Sequence, residues 1–240
     1  MLHIRPFDGR HDGRPVMPDI HRLAGLTASF TAEEEAYSHI LQRIRLGVYK
    51  AGDRLIPEEI AAEIGTSRMP VREAFRRLST EGLVDIRPHR GAVVRKLSSA
   101  EMEEVFRMRA VLEGLAARVA FSEISEKHIA VLEDLIGQME ATENDVQEWV
   151  SVHRQFHEYL CSLSHRPRLM QQIASLHSIV EPQMRVWLEN STRTHRSRSA
   201  HGYLIDALRA GPAGEFEKVV RQHVEGTIAS LERFMAPGMN

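Results

Sequence analysis

The chain has 240 residues, 42% of them hydrophobic and 27% charged, with a formal net charge of −2. That is the make-up of an ordinary soluble protein, long enough for one large domain or two small ones. No apolar run reaches membrane-spanning length, the N-terminus lacks the apolar core of a secretion signal, and the single cysteine, Cys161, rules out an internal disulfide and fits a reducing cytoplasm.

Residues 1–29 carry Pro6, Pro15 and Pro18 and no sustained period, which predicts a mobile tail. A helix is expected from Thr31 to Gly47. Glu34 stands three residues after Thr31 as a capping-box partner, and Tyr37, Ile40, Leu41 and Ile44 form an apolar stripe. YKAGDRL reads as a turn, and PEEIAAEIG as a short helix from Pro57 to the stop at Gly65. TSRMPVREAFRRLSTEGL reads as a third helix, capped by Thr66 or Ser67, with Pro70 in its first turn and Gly82 at its end. VDIRPHRGAVVRK then gives two short β-prone runs around PHRG, a small hairpin.

Charge is distributed unevenly over these elements. Between Ser67 and Lys96 eight basic residues face three acidic ones, a net +5, so the rest of the chain carries −7. A basic block in an otherwise acidic protein raises the question of nucleic acid. Helix, short helix, tight turn, helix and basic hairpin is the layout of a winged helix-turn-helix. The third helix projects Arg68, Arg72, Arg76 and Arg77, while Val71, Phe75 and Leu78 lie at spacings that face a core. Arginines at the start of such a helix reach base edges in the major groove, with Thr66 and Ser67 beside them as further candidates. The hairpin tip, His89, Arg90 and Gly91, can approach phosphates or the minor groove, Gly91 giving the turn its freedom.

No β-rich run follows Lys96. Six helical segments are expected near 99–122, 125–143, 145–164, 167–192, 195–210 and 214–235, with Gly211-Pro212 and NSTRT as the clearest breaks and a kink at Pro182. The fold class is therefore mainly α: a winged helix-turn-helix over 30–97, then an all-α antiparallel bundle of about six helices over 98–240. Within the bundle, HRQFH places His153 and His157 one turn apart on one helix face, where both rings could hold one metal ion. With 13 histidines, about 0.7 such pairs arise by chance, so the pair needs context. A hydrolytic zinc site would need a glutamate after the first histidine, and Arg154 stands there.

The stretch AGDRLIPEEIAAEIGTSRMPVREAFRRLSTEGLVDIRPHRGAVV resembles the DNA-binding domain of the GntR family of bacterial repressors. The resemblance implies that Arg68 and Arg72 contact operator bases and that Gly91 lies against the minor groove. Glu58 and Glu59 stand where some members place a DNA-contacting arginine, so operator sequence does not transfer. RMRAVLEGLAARVA, RQFHEYL, AHGYLIDALRAG and VVRQHVEGTI resemble, in order, the FCD effector domain of the FadR-like branch, and six helices would place it in the VanR-like subgroup. That resemblance implies a metal site completed by His201 and His223, joined by His157. His153 occupies the fourth position, either as a ligand or as a surface histidine. Imidazole ligands suit a divalent ion such as zinc or nickel. His128, His165, His177 and His195 have no such alignment and read as ordinary histidines.

The resemblance also implies a small organic-acid effector, with Arg109 as a candidate counter-charge for its carboxylate. Arg109 could equally bridge to Glu113 one turn away. A lone winged helix offers few base contacts, so a homodimer on a short inverted repeat of double-stranded operator DNA is expected, with no membrane partner. The competing class, a metal-dependent bundle enzyme with an incidental basic segment, lacks a general base beside HRQFH, a nucleophile elbow and a glycine-rich phosphate loop.

Overall fold

The computed structural model describes residues 31–88, 90–190 and 199–235. The expected tail at 1–29, His89 and His195 lie outside the described residues. Helix α1, Ala32–Arg45, opens on the capping box of Thr31 and Glu34 and buries Ala36, Ile40 and Ile44. Of the expected stripe, Tyr37 and Leu41 lie at the half-buried edge. Helix α2, Pro57–Glu63, starts on its proline, and α3, Arg68–Thr80, follows Ser67. Strands β2, Val84–Arg87, and β3, Gly91–Val94, form the hairpin.

A third strand, β1 (Arg54–Leu55), pairs antiparallel with β3 and makes a sheet of order β1-β3-β2. It lies within the stretch read as a turn. Two residues are too few to show alternation; pairing of Arg54 with Val93 and Leu55 with Ala92 defines the strand instead. Gly91 is required twice over. Its φ is +83°, and a Cβ there would meet the Leu55 carbonyl oxygen at 2.2 Å. Ile40, Ile44, Val71, Phe75 and Leu78 are central to the core of this unit.

The second unit is helical throughout its described residues. Helix α4, Ser99–Ala120, begins on a capping box of Ser98 and Glu101. A short 3-10 turn leads to α5, Glu126–Ala141, then α6, Val146–Ser162, and α7, Pro167–Asn190. α8, Ser199–Ala210, and α9, Ala213–Glu225, follow. The last expected segment is divided: α9 stops at Gly226, and α10 occupies Ile228–Met235. Glycine's weak helix preference accounts for that position. Helix α7 runs on across Pro182, which is buried within it. Phe106, Leu132, Phe156, Val180 and Leu188 anchor the bundle core, with no helix among the described residues long and apolar enough to cross a membrane.

Helix α7 joins the two units. Ile179 packs against both cores. Arg45 Nε, at the end of α1, donates to Ser178 Oγ at 2.9 Å, and Gln183 Nε2 donates to the Arg95 carbonyl at 3.1 Å. The Arg185 guanidinium donates to the Arg45 carbonyl and, at 2.8 Å, to the Gln147 carbonyl. Ser178, Gln183 and Arg185 are buried, where a polar atom left without a partner is unfavourable, so these bonds fix the seam directionally.

Candidate metal centre and nucleic-acid interface

The DNA-facing candidates sit on the solvent side of α3 and at the hairpin. Arg68 Nη1 is 3.0 Å from Glu58 Oε1, and 64% of its side chain is exposed. This hydrogen bond is the first cause holding the Glu58 carboxyl below its ordinary value. Arg72 is exposed one turn on, and Arg76 is exposed beside Glu73 at 2.6 Å. Ser67 makes no side-chain cap bond and is exposed, while Thr66 is half-buried and donates its N–H to the Ala61 carbonyl. Arg90 is exposed at the hairpin next to Gly91. Arg77 is different: it lies 3.7 Å over the Tyr37 ring and pairs with Glu81, which ties α3 to α1. Of the four arginines expected to project from α3, it is the one turned back onto the protein.

The four expected histidines come together inside the bundle. His153 and His157 on α6, His201 on α8 and His223 on α9 each offer a ligand atom, and all four atoms lie within 4.8 Å of one another. His157 and His201 are buried; His153 and His223 are half-buried. Trp149 stacks on His153 with ring centroids 4.8 Å apart, and Phe156 meets His157 and His201 edge-on. His157 Nε2 and His201 Nε2 are buried with no hydrogen-bond partner. Burial, with neighbouring imidazoles adding to it, holds His153 and His201 well below the ordinary histidine range. Both rings are therefore neutral near pH 7, the form that ligates a metal. Two orphaned imidazole nitrogens, inside a set of four, fit a metal ion.

A second layer fixes the rings. His157 Nδ1 is 2.8 Å from Glu113 Oε2, so its Nε2 is the nitrogen left for the centre. The Tyr203 hydroxyl lies 2.7 Å from His223 Nδ1, and burial pushes the phenol up to about 12. Glu113 also accepts from Arg109 Nε at 2.9 Å and meets His177 Nε2 at 2.9 Å. Burial alone would raise its carboxyl, but Arg109, His177 and His157 outweigh that and hold it well below the usual range. Burial holds His177 at about 4.

Two residues here were not singled out as site residues from the sequence. His177, read as ordinary, is bound into the cluster through Glu113. Glu113 reads in the sequence only as a bridge to Arg109, and that bridge is present. The signal for it was in the periodicity: Phe106, Ala110, Glu113 and Ala117 share the buried face of α4, and a carboxylate in such a stripe requires partners.

Residues 32–94 match the family described as bacterial regulatory proteins, gntR family, and residues 104–226 match the FCD domain. An HTH-type transcriptional regulator from the TAR-I ttuE-ttuC' intergenic region of Agrobacterium vitis is 35% identical over 61% of this chain and 90% of its own. The HTH-type transcriptional repressor RspR of Escherichia coli is 26% identical over 76% of this chain and 81% of its own. In fold, the chain is similar to Escherichia coli McbR/YncC, with a TM-score of 0.76 and 22% identity over 86% of this chain and 99% of that one. The chain belongs to the GntR family of bacterial transcriptional regulators, with an FCD domain after its DNA-binding domain.

Proposed function

We propose that this regulator is a cytoplasmic repressor that binds a short inverted repeat of operator DNA as a homodimer. In this reading the unit at 30–97 reads DNA and the unit at 98–240 holds a divalent ion, zinc or nickel, and a small carboxylate effector. The observation that carries the metal reading is the pair of orphaned nitrogens, His157 Nε2 and His201 Nε2, inside a cluster of four imidazoles. Burying such rings without a partner is unfavourable, and one ion satisfies them together.

Arg68 and Arg72 supply base contacts, with Ser67, Thr66 and Arg76 on the flanking backbone and His89, Arg90 and Gly91 at the wing. His153, His157, His201 and His223 hold the ion. A bound divalent ion would supply Lewis acidity and open positions for a carboxylate. Glu113 fixes the tautomer and orientation of His157, and Arg109 adds positive charge behind it. Signal transfer runs along α7: His177 meets the cluster through Glu113, and the next residue, Ser178, accepts from Arg45 of the DNA-reading unit. A displacement at Glu113 thus biases the seam between the units.

The competing enzyme reading has no support in the site. Arg154, where a general base would stand, is ion-paired at 2.7 Å with Glu181.

The test is metal analysis of protein purified without a nickel column, before and after chelation, together with operator titrations in both states. Retained zinc or nickel near one ion per chain is expected, with His157→Ala and His201→Ala losing it. Metal-free protein whose melting ignores both chelator and added zinc overturns the metal reading.

A further inference from the structure

Helix α3 turns one side chain to solvent that neither packing nor charge explains. Met69, in its first turn, is 61% exposed, the highest value for any large hydrophobic residue among the described residues. The same helix fills the core with Val71, Ala74, Phe75 and Leu78. Met69 stands on the other face, beside Arg68 and in line with Arg72 and Arg76 at spacings of 3 and 4 residues. An outward face of this kind is ordinarily polar throughout. In the first two turns of α3 the exposed positions are Arg68, Met69 and Arg72: two cations and one apolar chain, unbranched and polarisable. Pro70 follows, with its φ locked and no N–H for the first turn to leave unpaired, and no acidic residue stands in that turn to repel a phosphate.

We propose that Met69 is a specificity-determining residue that reads the C5-methyl group of a thymine in the major groove. The inference rests on α3 as the DNA-reading helix proposed above and adds a kind of contact that its arginines cannot make. Base edges in the major groove present hydrogen-bond donors and acceptors at every pair, and the thymine methyl is the one apolar group in that code. Arginine forks favour guanine, so Arg68 and Arg72 discriminate poorly at A·T pairs. A thioether chain offers no donor and only a weak acceptor. Against any other base edge it strips water from polar atoms without replacing the bond. Against the thymine methyl both apolar surfaces leave water together. The first turn of a recognition helix is where its residues meet base edges. The flexible chain of Met69 can follow the methyl while neighbouring phosphate contacts hold the helix in register.

Duplexes enriched from a random pool by the full-length wild type supply the probe. Each thymine of the enriched half-site is replaced in turn by deoxyuridine, which keeps every hydrogen bond and removes only the methyl. At one thymine per half-site the wild type should lose affinity about fourfold, the worth of one buried methyl. Met69→Ala should bind the unmodified duplex more weakly by a similar factor and ignore deoxyuridine at that position, whereas Met69→Leu should keep the sensitivity. Circular dichroism and melting should be unchanged in both variants, since the side chain is already exposed. A wild type that enriches a sequence but tolerates deoxyuridine at every thymine overturns the proposal and leaves α3 as the reading helix. Met69→Ala protein that retains the wild-type sensitivity does the same. A wild type that enriches no sequence overturns the reading given to α3 itself.

Discussion

The recognition helix and the histidine cluster use charged and polar side chains in opposite surroundings. On α3, Arg68 and Arg76 pair with Glu58 and Glu73 at side-chain exposures of 64% and 69%. Such pairs are screened by water and contribute little to folding, so the arginines are available to another anion. Around Glu113 the same kinds of group are enclosed: Arg109 and Glu113 are 2% and 0% exposed, and Glu113 touches His157 and His177 as well. There each contact is strong and each missing partner is expensive. One region is built to exchange partners and the other to keep them. Substitutions in the two should therefore separate cleanly into binding defects and folding defects.

The largest expected effect is at Glu113. Glu113→Ala leaves Arg109 Nε, His157 Nδ1 and His177 Nε2 facing a void, and removal of one partner from a buried ionic group costs about 3–5 kcal/mol. Loss of the carboxylate behind His157 should also lower metal affinity about 10- to 100-fold. Denaturant melts with and without metal measure the two effects. A Glu113→Ala protein of wild-type stability would put the cluster in the same class as the surface pairs.

Acid sharpens the contrast next. In the metal-free protein His177 is held at about 4, and His153 and His201 well below their ordinary range, each chiefly by burial; Arg109 nearby further opposes protonation of His177 and His153. The unfolded chain binds protons near pH 6.5 that these folded rings refuse. Their depressed values therefore leave stability full above about pH 6.5 and remove it as the pH falls toward 4. Glu113, held well below its ordinary value, adds a loss only in a lower window. Chelator-treated protein should melt progressively earlier at pH 6 and 5 than at 7.5. A melting temperature that is flat over this range contradicts neutral, buried imidazoles.

The opposite signature belongs to Arg72. Arg72→Ala should weaken operator binding by about 1–3 kcal/mol and flatten base preference, with folding stability unchanged to within about 0.5 kcal/mol. Fluorescence anisotropy on operator and scrambled duplexes distinguishes loss of base reading from loss of charge, since phosphate contacts weaken both equally. Equal losses on the two duplexes would assign Arg72 to the backbone.

The two regions also differed in how far their sequence disclosed them. The DNA-reading unit was legible nearly throughout, because its signals are local: the Thr31–Glu34 capping box, the proline at the start of α2, and glycines at forced backbone angles. What escaped was the two-residue strand β1, fixed by a partner 39 positions away at Arg54 and Val93, and the return of Arg77 onto Tyr37. In the bundle the histidines on α6, α8 and α9 were named from a resemblance. The group that orients them was not, because Glu113 lies 44 residues from His157 and 64 from His177. Helical periodicity places a residue on a face, and only tertiary packing decides which faces meet.

The smallest expected effect lies in the exposed pair itself. Glu58 holds Arg68 by a single hydrogen bond at 3.0 Å. In the proposed DNA complex the Arg68 guanidinium leaves that carboxylate to reach a base edge, and Glu58 then faces the phosphate backbone as a like charge. Glu58→Gln keeps the side-chain shape, loosens the tether and removes the repulsion. Operator affinity should rise, by less than about tenfold because the pair is solvent-screened. The rise should be greater at low salt than at high salt, since both the tether and the repulsion are screened by ions. Anisotropy titrations at two salt concentrations read this directly. Should Glu58→Gln bind more weakly, and only on the cognate duplex, Glu58 reads a base: a carboxylate accepting from a cytosine amino group.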